Sequence, residues 1–392
     1  MRVDKPAGLV VLWANWDSVL HLFRGLPVSI PRLMVRVSNV SLARNLGWPW
    51  LGDPSPLPDG EGQWLSRYVF PPGWHSILGP ILGRLMVIRV KRDCSRVNIR
   101  PDTLCLVQPM PGWETVRQRL GAKHLLYYCV DDYRAMRPER SSRIEALEDA
   151  IVRQADRVVC ASRFMQQELI RRNPAATARI VHVSNGVDAS FLVPSPLKMP
   201  DPLPVDVSHL RRPVLGYLGG MEGRIDWPLL IRVVQSIPDC SLLMIGPLPR
   251  LGTEDAVWME RLKSNQTVCF AGPRPQSRIM EYIRAFDVCL IPEPLRPLNI
   301  AGCPQKLWNY LASSRPVVST AVPEQMLHEP LVLVGRSHAE FVERISGALH
   351  SAGDEALARQ RLELARMHTW KSLSGRLVDH LKTFGILPSD KG

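Results

Sequence analysis

No Cys-x-x-Cys pair occurs in the 392 residues, and the eight cysteines, at 94, 105, 129, 160, 240, 269, 289 and 303, stand apart. Several lie inside apolar runs such as Arg157–Ala161 and Asp287–Ile291. That distribution argues against a zinc site and fits free thiols buried as small hydrophobes in a reducing compartment. No apolar run reaches the roughly 18 residues of a membrane-spanning helix. The opening segment MRVDKPAGLVVLWANWD has one short apolar stretch and lacks the longer core and small-residue cleavage site of a secretory signal. The Ile77–Val90 segment is apolar, but Arg84 and Arg89 interrupt it. It reads as a buried strand or short helix rather than an interfacial segment.

Several chemistries are missing too. There is no G-x-G-x-x-G followed by an acidic residue, which argues against a dinucleotide site. There is no G-x-x-x-x-G-K-[ST] and no G-x-S-x-G, so neither a Walker-type ATPase nor a nucleophile-elbow hydrolase is suggested. Zinc-finger spacing, RNP-like aromatic motifs and basic helices leading into heptads are also lacking, so nucleic acid is not an expected partner.

What is present is the composition of a folded protein, with 45% hydrophobic and 22% charged residues. The length fits two domains of about 150–200 residues. Lys and Arg number 49 against 37 Asp and Glu, for a formal charge of +12. The cations are scattered, so plain solvated charge competes with a basic surface for an anionic membrane or a phosphorylated ligand.

Short β-branched runs alternate with helical stretches, the pattern of an α/β protein with parallel sheets. Strands are expected at Leu9–Trp13, Leu104–Val107, Leu125–Val130, Val158–Ala161 and Ile180–Val183. Residues 49–75, rich in Pro, Gly and Trp, read as an irregular insertion. Ser142 and Glu145 have capping-box spacing ahead of Ile144, Leu147 and Ile151. The Pro-rich stretch 193–213 reads as a linker, after which a fresh α/β unit begins at Val214–Leu218.

In open parallel sheets, ligands bind beyond the carboxyl ends of the strands. The second half places Gly219-Gly220, Gly246 and Gly272 at such ends. Glycine there admits positive φ and close backbone approach, and a following helix offers N–H groups to an anion. Each turn alone could be simple sterics. Three in one sheet, with Arg224 after the first, point to a phosphate-bearing ligand. Lys306, at the start of a helix opened by Pro304, would add a cation to such a site. An exposed surface lysine is the alternative. Asp131 and Asp132 end a first-domain strand, where they could orient an acceptor or take a proton from its hydroxyl. A helix cap or loop pair is the competing reading. Asp17, with Asn15 and Trp16, is a weaker candidate of the same kind. Asn185, Gly186 and Asp188 form a turn that could shape the same region.

Three segments together are more specific: Phe286–Pro292, then Pro304-x-Lys306-Leu307-x-x-Tyr310-Leu311-Ala312, then Pro316–Thr320. They resemble the donor-domain signature of family 4-like (group 1) glycosyltransferases, nearest to the teichuronic acid biosynthesis type. Gly216–Gly220 with Arg224–Asp226, Ile245–Pro247 and Ala271–Pro275 fit the same branch. So do Cys129–Asp132, Ala155-Asp156 through Ala161-Ser162, Asn185–Asp188 and His368–Trp370.

The resemblance implies a GT-B fold, an α/β class with two Rossmann-like domains facing each other across a cleft. Residues 1–200 would form the acceptor-side domain, 201–365 the donor-binding domain, and 366–392 a helix crossing back. It implies a glycosyltransferase that uses a nucleotide-sugar donor, needs no cofactor or metal and retains anomeric configuration. Gly219, Gly220, Arg224 and Lys306 would contact the diphosphate. Gly246, Pro273 and Asn309 complete the donor-binding set, with Asp131 and Asp132 as catalytic candidates. The acceptor would be a sugar or lipid-linked hydroxyl, with an anionic membrane as a candidate peripheral contact for a cytoplasmic chain. The chain departs from the family at Asn309, where Glu is usual, at Ala301, where its paired Glu is absent, and at Tyr128, where Asp is frequent. Two alternatives stay open, a nucleotide-sugar epimerase of the same fold and, made plausible by Asn309, a non-catalytic relative serving as scaffold or partner.

Overall fold

The computed structural model describes residues 5–13, 18–39, 55–70, 79–196 and 199–387. Asn15, Trp16 and Asp17 lie outside these residues. Two compact units are present, one formed by residues 1–184 with 373–392, the other by residues 185–372. The division falls at Ser184/Asn185, upstream of the Pro-rich stretch.

Among the described residues the first unit carries eight strands: β1 Ala7–Trp13, β2 Arg32–Asn39, β3 Leu57–Pro58, β4 Gln63–Phe70, β5 Arg100–Leu106, β6 His124–Cys129, β7 Arg157–Cys160 and β8 Ile180–His182. Their order is β3-β4-β2-β1-β5-β6-β7-β8. All pairs are parallel except β3 with β4.

Strand β4 corrects the expectation of an irregular insertion over residues 49–75. It pairs with β2 along its whole length, from Arg32↔Gln63 to Asn39↔Phe70. Its buried side chains are polar, and so invisible to hydropathy. Gln63 Oε1 accepts from Arg32 Nε at 3.1 Å. The Ser66 and Tyr68 hydroxyls donate to Asp93 Oδ2 at 2.9 and 2.6 Å. Asp93 belongs to the Gly79–Arg96 helix, which replaces the buried strand or short helix expected over residues 77–90. One face of this helix is covered, while Arg84, Leu85, Ile88, Arg89, Lys91, Arg92 and Arg96 are exposed.

The expected capping box at Ser142 is also replaced. The helix runs Ser141–Gln154 with Arg140 at its cap position and no side-chain cap bond. Glu145 instead accepts from Arg134 Nη1 at 2.7 Å. It joins a network in which Arg134 and Arg172 serve Asp132, Glu145, Glu148, Asp149 and Glu168. At its bottom lies Glu148, 1% exposed, bonded by the Tyr127 hydroxyl at 2.7 Å and by Arg172 Nη2. The C-terminal segment docks on this unit through Ser374 Oγ, which donates to the Leu22 carbonyl at 2.5 Å, and through Arg157, whose guanidinium carbon stands 3.5 Å from the Phe384 ring centroid.

In the second unit the strands are β9 Val214–Leu218, β10 Ser241–Ile245, β11 Val268–Gly272, β12 Val288–Ile291, β13 Val317–Thr320 and β14 Val332–Gly335. Their order is β11-β10-β9-β12-β13-β14, all parallel. Successive side chains of β12 enter opposite cores. Cys289 and Ile291 pack with Phe286, Leu307 and Leu311. Val288 and Leu290 pack with Trp227, Leu230, Phe341 and Ile345. Burial on both faces accounts for the unbroken apolar strands. The chain builds outward from β9 to β11, then returns to place β12 on the other flank of β9. That reversal opens a crevice at the carboxyl ends of β9 and β12, where ligands of such sheets bind. All eight cysteines are free, and seven of them are buried.

The charge network yields a pH-dependent prediction. Burial pushes the Glu148 carboxyl up, while Arg172 and Tyr127 oppose that shift. Removing the guanidinium in Arg172→Met leaves a buried charge unpaired, at a cost of about 3–5 kcal/mol near neutrality. A raised folded pKa means the fold binds the proton more tightly than the unfolded chain, so the penalty is greatest at high pH and shrinks as Glu148 protonates. Urea unfolding of Arg172→Met against wild type at pH 8 and pH 5 should show the smaller gap at pH 5.

Candidate functional site

The crevice of the second sheet is built from backbone outward. Strand β9 ends in Gly219-Gly220, β10 in Gly246 and β11 in Gly272. The Gly219 N–H donates to the Ile245 carbonyl at 2.9 Å, and the Gly246 N–H to the Gly272 carbonyl at 3.1 Å. Gly246 adopts φ +144°, and a Cβ on it would lie 2.0 Å from the Gly219 carbonyl oxygen. Gly219 adopts φ +139°, with a Cβ position only 3.2 Å from Lys306 Cε. Both positions favour glycine, Gly246 because backbone meets backbone and Gly219 because its φ lies where other side chains rarely sit, with Lys306 close against the turn.

Lys306 stands in the first turn of the Gln305–Ala312 helix, whose cap position is Pro304. It is not the exposed lysine of the alternative reading, since its side chain is 11% exposed. Nζ donates to the Tyr217 hydroxyl and to Glu293 Oε1, each at 3.1 Å. It also lies 4.5 Å from the Tyr217 ring centroid. The Tyr217 hydroxyl in turn donates to the Gly220 carbonyl at 2.7 Å. Burial alone would depress the ammonium, but Tyr217 and Glu293 outweigh it and hold Lys306 above the usual lysine range. One turn along the same helix, the Tyr310 hydroxyl accepts from the Leu218 N–H at 2.7 Å and fixes the end of β9.

Arg224 follows the glycine turn. Its Nη1 donates to Asn299 Oδ1 at 3.0 Å, and Asn299 Nδ2 donates to the Pro294 carbonyl at 2.9 Å. Asn309, three residues after Lys306 and so on the same helix face, is 7% exposed. Its Oδ1 is buried without a hydrogen-bond partner among the described residues. Pro273 follows β11, where Arg274 binds the Ala271 and Pro273 carbonyls, the Tyr282 hydroxyl and Asp206. The arrangement joins Gly219, Gly220, Arg224 and Lys306 around the turn after β9, and Gly246 supports that turn from below. Sequence reasoning missed Tyr217, Glu293 and Asn299. The first reads as an ordinary strand residue and the others as loop, and only the fold brings them to Lys306 and Arg224.

The two aspartates lie in the first unit, after β6. Asp132 caps the Tyr133–Met136 turn, accepting from the Arg134 and Ala135 N–H groups, and its carboxylate is held bidentately by Arg134 at 3.1 Å to each oxygen. Asp131, 6% exposed, accepts through Oδ1 from the Asp132 N–H at 3.0 Å. The capping role is therefore present in Asp132. No group of three or more His, Cys, Asp or Glu that could hold a metal occurs among the described residues. No described helix is long and apolar enough to cross a membrane.

Two parallel-sheet units, the second with a cationic crevice at the strand reversal, define the GT-B class of sugar-transferring fold. Residues 50–191 match the Glycosyltransferase Family 4 domain, and residues 212–351 match Glycosyl transferases group 1. The chain is a glycosyltransferase, with one domain matching each of these families. It is 25% identical over 292 residues to TuaH of Bacillus subtilis (strain 168), named as a teichuronic acid biosynthesis glycosyltransferase, covering 71% of this chain and 72% of that protein. Its fold is similar to that of sucrose-phosphate synthase from Thermosynechococcus elongatus, with TM-score 0.71, 15% identity, and 97% and 99% of the two chains covered. HepE of Anabaena, solved with UDP and glucose, matches with TM-score 0.65, 15% identity, and 96% and 99% coverage.

Gly246 makes the architecture testable. Gly246→Ala should lose about 1–3 kcal/mol through overpacking and displace the Gly219 carbonyl. The expected result is a lower urea midpoint than wild type, measured alongside Gly220→Ala, whose Cβ would meet open space.

Proposed function

We propose that the chain transfers a sugar from a nucleoside diphosphate sugar, held in the second unit, to a hydroxyl of a polysaccharide or lipid-linked acceptor, with retention and without a metal. The observation that carries this reading is the Lys306 ammonium fixed beside the Gly219-Gly220 turn. An ammonium has three N–H donors. Two are directed to Tyr217 and Glu293, leaving one for a phosphate oxygen. Arg224 stands next along the chain. When the sugar–phosphate bond breaks, negative charge grows on the leaving diphosphate, and preorganised cations and N–H groups lower the barrier. The same groups can neutralise that charge without a metal. The unsatisfied Asn309 Oδ1 suits a sugar or ribose hydroxyl as donor, a hydrogen bond the family's usual Glu would make with a charge behind it. A uridine base is favoured, because HepE was solved with UDP and with UDP-glucose.

In the first unit Asp131 and Asp132 are the candidates for orienting the acceptor, with Asp132 also serving its cap and Arg134. Thermal melting with UDP-, GDP-, dTDP- and CMP-sugars tests the donor. A ligand at a hundred times its Kd stabilises by about 2.7 kcal/mol. A shift with the UDP-sugars alone that Lys306→Ala reduces is expected. With a competent acceptor, Lys306→Ala should slow turnover on the order of a hundredfold. Product formed without acceptor would favour the epimerase alternative, and binding without turnover the scaffold.

The exposed face of the Gly79–Arg96 helix supports a membrane contact as part of this proposal. Arg84, Arg89, Lys91, Arg92 and Arg96 surround Leu85 and Ile88, 49% and 64% exposed. The one acid between Arg84 and Arg96, Asp93, is buried. Such a face combines apolar insertion with attraction to anionic headgroups. Cosedimentation with phosphatidylglycerol vesicles, reduced by salt and by Arg84→Glu/Arg89→Glu and absent with phosphatidylcholine, is the expected outcome.

A further inference from the structure

We infer that Tyr217 is a positioning residue for Lys306, a hydroxyl strut that ties the ammonium to the glycine turn so that both meet the donor diphosphate as one rigid unit. The inference rests on the donor-site reading above and assigns a role that no motif marks.

The hydroxyl sits at a junction. It accepts from Lys306 Nζ at 3.1 Å and donates to the Gly220 carbonyl at 2.7 Å. Its single proton is committed to the turn, so its lone pair faces the ammonium and the two bonds polarise one another in the same direction. The ring adds a second hold, with Nζ 4.5 Å from its centroid. Tyr217 itself cannot shift, being 0% exposed and packed among Trp227, Leu242 and Leu290.

A lysine has four rotatable side-chain bonds and loses considerable entropy when fixed. Glu293 by itself would draw Nζ toward β12, away from the turn. Tyr217 supplies the opposing bond, and the pair fixes Nζ between β9 and β12, where the sheet order reverses. Gly219 completes the fit, because any side chain there would press on the Lys306 stem. The strut therefore prepays the ordering of Lys306, and a diphosphate meets a cation already in place.

The test is a double-mutant cycle on the full chain, read by calorimetric titration with UDP. Tyr217→Phe removes only the hydroxyl. It should weaken UDP about tenfold in the wild-type background, the scale of one hydrogen bond. In the Lys306→Ala background it should change affinity less than twofold. A pH profile supplies a readout that loss of packing would not move. With Tyr217 gone, burial acts against a less supported ammonium, so the alkaline loss of UDP affinity should begin at lower pH than in wild type. A second variant, 3-fluorotyrosine placed at 217, keeps ring and hydroxyl but makes the oxygen a poorer acceptor. It should weaken UDP in the wild-type background and not with Lys306→Ala. Equal effects of Tyr217→Phe in both backgrounds, or none in either, would overturn the inference while leaving the donor site standing. Wild type that binds no UDP would overturn both.

Discussion

A buried ammonium is the constraint on which the second unit depends. Lys306 is almost wholly enclosed, and an ion in that position is tolerated only when its charge and its donors are satisfied. Glu293 answers the charge and Tyr217 a second donor. Meeting those needs dictates much else. The strand carrying Tyr217 runs into a glycine whose positive φ sets the turn that the lysine stem passes closely. The helix carrying Lys306 must begin beside that end, and β12 must lie next to β9 to bring Glu293 across. The Tyr310 hydroxyl on the β9 backbone locks the same helix to the same strand.

The first unit solves a similar problem for a different end. Arg134 and Arg172 hold a group of carboxylates, one of them fully buried, and the network reaches Asp132 directly. Asp132 is thereby drawn into scaffolding, its carboxylate shared between a helix cap and a guanidinium. A carboxylate so engaged has both oxygens committed to donors of its own unit. The neighbouring Asp131 accepts through Oδ1 from the Asp132 N–H. Two adjacent residues of one type are thus separated by their surroundings, a distinction that composition and spacing do not contain.

Asn309 illustrates a third balance. In a helix otherwise faithful to its family, an amide replaces a carboxylate and leaves a buried oxygen without a partner. An unmet acceptor weakens the free protein slightly and strengthens binding of any ligand that brings a hydroxyl to it. The replacement lowers the negative charge close to Lys306 as well, which favours an anionic ligand there.

The alternation of short apolar runs with helical stretches, the glycines at strand ends and the Pro304–Ala312 helix were all legible in the sequence. Each is a local signal, set by backbone sterics or by burial on both faces of a strand. Strand β4 was not, because its inward side chains are Gln63, Ser66 and Tyr68, whose burial depends on Arg32 and Asp93 from other parts of the chain. The capping box at Ser142 failed for a related reason, as Arg134 claims Glu145 more strongly than a backbone N–H does. Sequence by itself determined the α/β class, the family and the lysine. Tertiary structure alone decided which residues stand around that lysine, since Tyr217, Glu293 and Lys306 are 89 positions apart at the widest and meet only because the strand order reverses to set β12 beside β9.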